Sequence, residues 1–437
     1  MIKLTKVIFR NKRGNLMNKF FSTALNKLKK LFSGRVIAVI DIGTDKVKTV
    51  VAKPSGDGFF EILGYGVAKS KGLRRGTVVD MEDLSKSVAI SVSEAEKFSD
   101  TQIDSVVINI SGDHLSSVNT KATLELASFP KEVTDEDRKK LESIIEQKVV
   151  GVERAIVHRV AYNYVLDGES IVNNPVGMLA STMSANIHLL VGRLGAIDAL
   201  IRSVEAAGIK VKDVVFDAWA SSMSALSYTE RRMGAILVDI GDSKTDVAVI
   251  KEGNLIYSCV IPIGGVNFTN DIASVLNLDF KTAEHLKKNL PNLMESSKQD
   301  SIEVKTFDSD EVVRVSLTYL RSIVEARVSE LIDMMLSSTS IYKFIPFVNT
   351  VVITGGSAKV WGLKHMLGKS LNLHVRYGVP SVDSELPEEL KNEDASTVVG
   401  LVCYSLISGK KNRSLENRMT LASIFDRIRE LFDRYLG

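Results

Sequence analysis

The sequence predicts an α/β protein made of two similar halves, because a buried strand that ends in a glycine turn recurs along the chain. Val36–Ile40 is a run of apolar, mostly β-branched residues that leads into Asp41-Ile-Gly43-Thr44. Ala235–Val238 leads in the same way into Asp239-Ile-Gly241, and Val351–Ile353 leads into Thr354-Gly355-Gly356-Ser357. Such runs are typical of strands buried on both faces. An ordinary strand end would explain any one of them, whereas the repetition favours two halves that close on one ligand.

The residues in these turns suit a phosphate-bearing ligand and its metal ion. A carboxylate at a strand end, as at Asp41 and Asp239, can contact a magnesium ion directly or through one of its waters. Gly43 and Gly241 allow the backbone to turn tightly and to approach a ligand closely. Thr44 and the amides that follow it can face phosphate oxygens. We therefore expect a nucleotide site between the halves.

In this order the three turns resemble the phosphate-1, phosphate-2 and adenosine motifs of the actin/Hsp70/sugar-kinase ATPase superfamily. The resemblance implies duplicated actin-like (ribonuclease H-like) domains, a cleft that binds ATP and Mg²⁺, and metal contacts through water from Asp41 and Asp239. The nucleotide contacts that it implies are Asp41, Gly43, Thr44, Lys46, Asp239, Gly241, Thr245, Glu284, Lys287, Gly355, Gly356 and Ser357. Glu284 and Lys287 stand in an Ala-Glu-x-x-Lys pattern, whose spacing lets both side chains reach one ligand. A solvated helix face is the alternative for this pair.

The second turn departs from the superfamily pattern. Three consecutive glycines and a threonine usually follow the isoleucine, whereas here Gly241 is followed by Asp242, Ser243 and Lys244. Side chains at these positions restrict the backbone and obstruct close contact with phosphate, and Asp242 adds negative charge beside an anion. We therefore predict ATP binding with at most weak ATPase activity and a mainly structural role.

Asp239 and Asp217 are the candidate catalytic residues. Asp217 falls where actin-like ATPases often carry a Glu or Gln near the attacking water, and a carboxylate there could orient that water. The alternative is that Asp217 only caps the helix that follows it.

Composition sets broad limits on the class of protein. A length of 437 residues suggests two or more domains, and 45% apolar with 25% charged residues is ordinary for a soluble globular chain. The formal net charge of +3 gives no nucleic-acid-binding signature, so we expect no nucleic-acid partner. Cys259 and Cys403 have apolar neighbours and are predicted to be buried free thiols. No apolar run reaches the roughly 18 residues of a membrane span.

Hydrophobic periodicity and turn residues predict the remaining elements. Strands are predicted at 47–52, 59–67, 106–111, 185–192, 211–216, 247–250 and 255–260. Helices are predicted at 81–98, from Thr134, at 197–207, from Ala220, at 319–336, at 359–369 and at 398–402. The segment 289–304 is polar and poor in periodicity, so a loop and an edge strand are expected there.

Four further motifs make the resemblance specific to the FtsA family of bacterial cell-division proteins. They are Gly76-x-Val-x-Asp80, Val106-Val-Ile-Asn-Ile-Ser-Gly112, a His-x₅-Tyr-x₂-Asp-Gly region that ends at Gly168, and Asn174-Pro-Val-Gly-Met178. The resemblance covers 36–408 almost continuously, and the tail as well. It implies filament formation, recruitment of later division proteins, and tethering of the tubulin-like protein FtsZ, as the Z-ring, to the cytoplasmic face of the bacterial inner membrane at the division septum.

The same resemblance gives the domain organisation. Residues 1–35 are a basic extension, 36–106 with 191–233 form subdomain IA, 107–190 form the inserted subdomain 1C, 234–408 form subdomains IIA and IIB, 409–420 are a linker, and 421–437 are a terminal helix. Subdomain 1C is implied to serve self-assembly and recruitment, and IIB to dock FtsZ. His158 and His188 lack a partner pattern for catalysis and are predicted to be structural.

Both ends of the chain carry amphipathic patterns. The terminal helix places its apolar residues on one stripe, which predicts an interfacial membrane anchor. That stripe consists of Leu421, Ile424, Phe425, Ile428, Leu431, Phe432, Tyr435 and Leu436. A helix docked on the protein itself or on a partner is the alternative. Its three Arg and three acidic residues balance, so attraction to anionic lipids must come from Lys410, Lys411, Arg413, Arg418 or the N-terminal extension.

The N-terminal extension, residues 1–35, holds ten Lys or Arg and no Asp or Glu. Its apolar residues from Phe20 to Phe32 recur at helical spacing, which predicts a short basic helix on a membrane surface. A disordered arm, translation from Met17 and a transit peptide are the other interpretations.

Three alternatives within the superfamily differ in what they require. A sugar-kinase-type phosphotransferase would carry a sugar-site pattern and an intact second turn. An Hsp70-type chaperone would carry a peptide-binding domain after residue 408. An actin-like pilus-assembly platform protein, the nearest alternative, would share the fold but would not need a lipid-binding terminal helix.

Overall fold

The computed structural model describes residues 36–411 except 57–58, 150, 152, 297–299, 307–310 and 338. The predicted N-terminal extension, most of the linker and the terminal helix 421–437 lie outside the described residues. The strands are β1 (Ile37–Ile42), β2 (Lys46–Pro54), β3 (Phe60–Lys69), β4 (Leu73–Arg74), β5 (Thr77–Val78), β6 (Ser105–Ile110), β7 (Leu115–Glu125), β8 (Lys131–Glu132), β9 (Arg154–Leu166), β10 (Ser170–Val172), β11 (Leu179–Ala180), β12 (Thr182–Arg193), β13 (Lys210–Phe216), β14 (Ala235–Ile240), β15 (Thr245–Lys251), β16 (Asn254–Ile261), β17 (Ser301–Lys305), β18 (Val312–Ser316), β19 (Thr350–Thr354) and β20 (His374–Tyr377).

The helices are α1 (Met81–Ser99), α2 (Asp135–Val149), α3 (Leu194–Glu205), α4 (Asp217–Ala225), α5 (Tyr228–Met233), α6 (Gly265–Leu276), α7 (Phe280–Ser296), α8 (Leu317–Ser337), α9 (Leu363–Leu371) and α10 (Ser396–Lys411). Short 3₁₀ turns occur at Ile341–Lys343, Ile345–Phe347, Glu388–Leu390 and Glu393–Ala395.

Two five-stranded sheets of the same topology form the frame of the molecule. The first has the strand order β13-β6-β1-β2-β3 and the second has the order β20-β19-β14-β15-β16. In each sheet the first strand pairs antiparallel with the strand after its glycine turn and parallel with a later strand. The prediction of an α/β protein with two similar halves is therefore confirmed.

The strands predicted at 247–250 and 255–260 form a hairpin in the second sheet, and its turn residues explain its shape. β14 is buried along its whole length, as its apolar composition requires. Between β15 and β16, Glu252 and Gly253 have φ values of 51° and 77°. Two successive positive φ values are the conformation of a two-residue type I′ hairpin turn.

The insertion between β6 and α3 forms a separate four-stranded sheet, β10-β9-β12-β7, which packs beside β16. Polar side chains fix that contact. The Ser117 hydroxyl donates to the Ser258 carbonyl at 2.5 Å, and the Asn119 amide donates to the Ile256 carbonyl at 2.9 Å. His188 Nε2 lies 2.9 Å from the Ser258 hydroxyl. The second histidine that we predicted to be structural, His158, accepts the Phe216 amide at 2.9 Å, so both histidines serve packing.

The two halves are joined by helices that cross between them. α4 follows the last strand of the first sheet and packs on β14 and β15, whereas α10 follows the second sheet and packs on β1 and β2. The helices approach each other closely at Ala220 and Gly400, where no side chain larger than a methyl group intervenes. The Ser224 hydroxyl donates to the Ser396 carbonyl at 2.6 Å. Each half thus contributes a helix to the core of the other.

The structure corrects the sequence prediction in two segments. The residues from 289 to 296, predicted as loop, continue α7 because Leu290 is fully buried and Leu293 and Met294 pack on the hydrophobic core around the second sheet. The helix predicted from residue 359 begins only at Leu363, because Gly362 has a φ of 76° that a helix interior does not allow.

Cys259 and Cys403 are free thiols that are partly rather than fully buried. Burial raises their pKa values to about 12 and about 11, so both stay protonated near neutral pH. Within the residues that the structure describes, no helix is long and apolar enough to cross a membrane.

Replacing Gly400 by alanine is expected to destabilise the protein. The added Cβ atom would fall 1.9 Å from the Ala220 carbonyl oxygen, so α4 and α10 would have to separate. Overpacking of this kind costs about 1–3 kcal/mol, which urea denaturation followed by circular dichroism would show as a lower midpoint. Gly195→Ala is the control, because nothing lies within 4 Å of its added Cβ atom. Equal midpoints for the two variants would contradict a close helix crossing.

Candidate functional site

A cavity of about 440 Å³ lies between the two sheets, at the ends of β1 and β14. Of the residues predicted to contact a nucleotide, those that line it are Asp41, Gly43, Thr44, Lys46, Asp239, Gly241, Glu284, Lys287, Gly355, Gly356 and Ser357. Asp217 lines it as well. The sequence motifs therefore converge on one cleft, although they are spread over more than 300 residues of the chain.

Thr245 is the exception among the predicted contacts. Its side chain is fully buried, and its hydroxyl donates to the Ile263 carbonyl at 2.7 Å. Side chains alternate along β15, so Asp246 and the turn residue Lys244 face the cleft and Thr245 faces the other side. We correct the prediction for Thr245 to a structural role.

The first turn joins β1 to β2 and holds Asp41 in a buried position. The Gly43 amide donates to the Lys46 carbonyl at 3.0 Å, which closes the turn. Asn109, on the neighbouring strand β6, donates to Asp41 Oδ1 at 2.8 Å and accepts the Ile42 amide at 2.6 Å. Burial raises the pKa of Asp41 to about 7, against the opposing charge of Lys48.

The second turn has the same backbone geometry. The Gly241 amide donates to the Lys244 carbonyl at 3.0 Å. Asp239 Oδ2 accepts the Ser221 hydroxyl at 2.5 Å and the Thr397 hydroxyl at 3.1 Å, one from α4 and one from α10. Burial raises the pKa of Asp239, and the two hydroxyls only partly oppose this. The crossing helices therefore position this carboxylate.

The side chain of Lys244 lies between two carboxylates at the base of the cleft. Its Nζ atom is 3.1 Å from Asp217 Oδ2 and 3.1 Å from Asp246 Oδ2. Burial by itself would lower the pKa of Lys244. The negative charges of both carboxylates outweigh this effect and hold the pKa above its usual value, so the ammonium form is stabilised. Asp217 is the first residue of α4, which Phe216 precedes as the N-cap residue, and its Oδ1 atom accepts no hydrogen bond from the described residues. The alternative in which Asp217 only caps the helix is therefore wrong.

The two turns contact each other across the cleft, and the third turn closes its side. Thr44 Oγ1 lies 2.9 Å from Ser243 Oγ. Gly355 has a φ of 94°, and a Cβ atom there would lie 2.4 Å from Asp239 Oδ1. Glycine is required at this position both for the conformation and for the approach to the carboxylate.

The wall formed by α7 carries an ion-paired cluster. Lys287 Nζ lies 2.6 Å from Glu284 Oε2 and 2.9 Å from Thr269 Oγ1. Lys288 Nζ lies 3.1 Å from the other oxygen of Glu284. These contacts lower the pKa of Glu284 although its burial acts to raise it. The alternative of a freely solvated face does not hold for Glu284 and Lys287, because Lys287 is buried in the cleft wall.

Sequence reasoning missed several residues of the site. Lys48 is buried and lies 2.8 Å from Asp394 Oδ1. Asn109 holds Asp41, and Ser221 with Thr397 holds Asp239. Lys48 could have been found, because it lies two residues after Lys46 on the same face of a strand. Asp394 and Thr397 belong to no recognisable motif and reach the cleft only through the fold.

The size of the cleft fits a nucleotide, and two of its carboxylates are already ion-paired rather than free to hold a magnesium ion. The cavity falls in the usual range for small-molecule sites, about 300–1,000 Å³. The described part of the chain contains no group of three or more His, Cys, Asp or Glu side chains set to hold a metal ion. Asp217 and Asp246 already bind the Lys244 ammonium. Magnesium contact through water at Asp41 and Asp239 stays a prediction.

Two sheets of one topology, joined by crossing helices around a cleft, define a protein of actin-like fold. Solved structures with this fold include a PilM-PilN type IV pilus biogenesis complex, with a TM-score of 0.61 and 16% identity over 85% of this chain and 98% of that chain. MreB5 of Spiroplasma citri bound to AMPPNP matches with a TM-score of 0.50 and 15% identity over 87% of this chain and 99% of that chain. At these identities the comparison establishes the fold alone.

Sequence comparison identifies the family. Cell division protein FtsA of Pseudomonas aeruginosa is 30% identical over 379 residues, which cover 86% of this chain and 90% of that protein. The Escherichia coli protein of the same name is 29% identical over 409 residues, 91% of this chain and 96% of its own length. The family model for cell division protein FtsA matches residues 236–400, and the model for the SHS2 domain inserted in FtsA matches 112–191. The chain belongs to the FtsA family of cell-division proteins, as its motifs predict.

Replacing Asp41 by asparagine is expected to stabilise the protein more at pH 8 than at pH 5. The folded-state pKa of Asp41, about 7, lies above the value of about 3.9 for an unfolded chain. Protonated Asp41 therefore adds to the free energy of unfolding at low pH, and this contribution is lost as the pH rises through 7. The D41N variant escapes this loss, and urea midpoints at the two pH values measure the difference.

The control for this experiment is Asp113→Asn, which changes an exposed carboxylate. Equal shifts of the D41N midpoint at pH 5 and pH 8 would contradict this prediction, because they would mean that ionising the buried Asp41 side chain does not lower the stability of the protein.

Proposed function

We propose that the cleft binds ATP and that the bound nucleotide controls assembly of the chain into filaments. The supporting observation is that both glycine turns, the Gly355–Ser357 turn and the Glu284–Lys287 pair surround a single cavity. In this arrangement the turns contact the phosphates, the pair on α7 contacts the ribose, and Gly355 and Gly356 form a flat surface for the adenine. A protein of the same fold, MreB5, has been solved with AMPPNP bound.

In the cell, the chain acts as an FtsA-type protein that tethers the FtsZ ring to the membrane and recruits later division proteins. Membership of the FtsA family, with nine-tenths of the P. aeruginosa protein covered, supports this role. Subdomain 1C serves self-assembly and recruitment, and the smallest subdomain, IIB, docks FtsZ. The protein then works at the cytoplasmic face of the inner membrane, at the division septum.

Membrane attachment is assigned to the terminal helix 421–437. Its apolar stripe carries three large aromatic residues, Phe425, Phe432 and Tyr435, which suit the interfacial region of a bilayer. The basic residues of the preceding linker supply the attraction to anionic lipids that the charge-balanced helix lacks.

Hydrolysis is at most slow in this proposal. We assign Asp217 Oδ1 to orienting a water, whereas the other oxygen of this carboxylate is bound by the Lys244 ammonium at 3.1 Å. Asp239 is held by two hydroxyl donors and keeps its place beside the phosphates. The nucleotide therefore acts mainly as a structural ligand.

Replacing Gly356 by valine is expected to weaken ATP binding more than tenfold without unfolding the protein. Gly356 lines the cavity, and the atom closest to an added Cβ is Asp394 Oδ1 at 3.1 Å, so the new side chain fills the cleft rather than striking the backbone. Titration with a fluorescent ATP analogue measures the change. Gly195→Val, at a position with free space around it, is the control. Equal affinity in both variants would place the nucleotide elsewhere.

Deleting 421–437 is expected to abolish flotation of the protein with anionic liposomes in the presence of ATP and Mg²⁺. Full-length chain, residues 1–420 and residues 36–437 are compared, with FtsZ added in a second series. Flotation of FtsZ should follow flotation of the chain. If residues 1–420 still float and 36–437 do not, the anchor lies in the N-terminal extension, and if no chain floats, the membrane role is wrong.

A further inference from the structure

The two glycine turns have the same backbone geometry, but the charged residues that face each other across their hairpins differ. Across the first hairpin Asp41 faces Lys48, and at the equivalent place in the second hairpin Asp239 faces Asp246. In the second half two carboxylates therefore face each other, whereas in the first half a carboxylate faces an ammonium group. Lys244 supplies the missing positive charge from the turn itself, at 3.1 Å from Asp246 Oδ2.

Lys244 and Lys46 occupy equivalent positions, because each carbonyl accepts the amide of the glycine that opens its turn. Their side chains have different surroundings. The Lys46 side chain is 48% exposed and lies 3.8 Å from Asp394 Oδ2, whereas the Lys244 side chain is only 10% exposed. Only Lys244 is fixed at the base of the cleft by two short ion pairs.

The Lys244 ammonium has a third N–H donor beyond the two that its partners among the described residues accept. An ammonium has three N–H donors, and within the described residues Lys244 uses two of them, one on Asp217 and one on Asp246. Lys244 also lines the cavity. The remaining donor is therefore available to an anion that enters the cleft, and a buried ammonium binds phosphate strongly as a point charge.

The cleft has a second unused polar atom beside this lysine. Asp217 Oδ1 is buried and accepts no hydrogen bond from the described residues. The other oxygen of the same carboxylate accepts from Lys244 at 3.1 Å. A divalent cation placed between Asp217 and Asp246 would have to displace the ammonium that already neutralises them, at the cost of breaking both ion pairs.

From this geometry we infer that Lys244 is the resident counter-cation of the cleft: it contacts the terminal phosphate of a nucleoside triphosphate and makes binding independent of a divalent metal ion. The inference rests on the proposed ATP binding, and it identifies the Lys244 ammonium as the cation that balances the charge of the bound triphosphate. It also explains the sequence of the second turn, where a lysine stands in place of the usual threonine. Mg²⁺ is then optional for binding.

The test is a titration of the full-length protein with a fluorescent ATP analogue, once with millimolar Mg²⁺ and once with EDTA. For the wild type, dissociation constants within about threefold of each other are expected in the two buffers. Lys244→Thr restores the usual residue, and its affinity should fall about tenfold or more in EDTA and recover in Mg²⁺. Lys244→Met, which keeps the stem and removes the charge, should lose affinity in EDTA as well.

Lys251→Thr is the matched control, because Lys251 lies at the far end of the strand that follows Lys244, where its ammonium donates to the Met233 carbonyl at 3.0 Å. Near-UV circular dichroism checks that each variant is folded. A wild type that binds only with Mg²⁺ would overturn the inference and leave the proposed ATP binding intact. A Lys244→Thr variant that binds in EDTA as the wild type does would also overturn it. Absence of wild-type binding in both buffers would overturn both proposals.

Discussion

The crossing of α4 and α10 is the constraint on which the rest of the structure depends. Each helix leaves one sheet and packs on the other, so neither half has a complete core without its counterpart. The close approach at Ala220 and Gly400 sets the distance between the sheets. Ser221 and Thr397, the neighbours of this contact on the two helices, both bond Asp239. The packing that joins the halves therefore also fixes a carboxylate of the cleft.

Electrostatics within the cleft follow from where the fold buries charge. Asp41 and Asp239, at the ends of their strands, are only 9% and 6% exposed, which makes their ionisation costly unless a donor or cation is near. The first half meets this requirement with an asparagine and a lysine from adjacent strands, and the second half with two hydroxyls and the lysine of its own turn. The same local geometry is thus stabilised by different residues in the two halves.

The features that could be predicted from the sequence are those that depend on a few neighbouring residues. Buried strands, glycine turns and the hairpin at Glu252–Gly253 are local, and the duplicated sheet and most of the cleft followed from them. Lys48 and Asp394 are 346 positions apart, so no spacing rule could pair them. The end of α7 was missed because its apolar residues Leu290, Leu293 and Met294 are diluted by polar neighbours, and only tertiary packing reveals their face. Thr245 was misplaced because a motif records a position and not the direction of its side chain.

The contact between the inserted sheet and β16 has a consequence for how copies of this chain can meet. β16 is one edge of the second sheet, and an exposed edge offers carbonyls that a strand from another molecule can pair with. Here the carbonyls of Ile256 and Ser258 already accept donors from Asn119 and Ser117. The insertion thus blocks strand addition at this part of the edge, so a strand from a second copy would have to pair elsewhere.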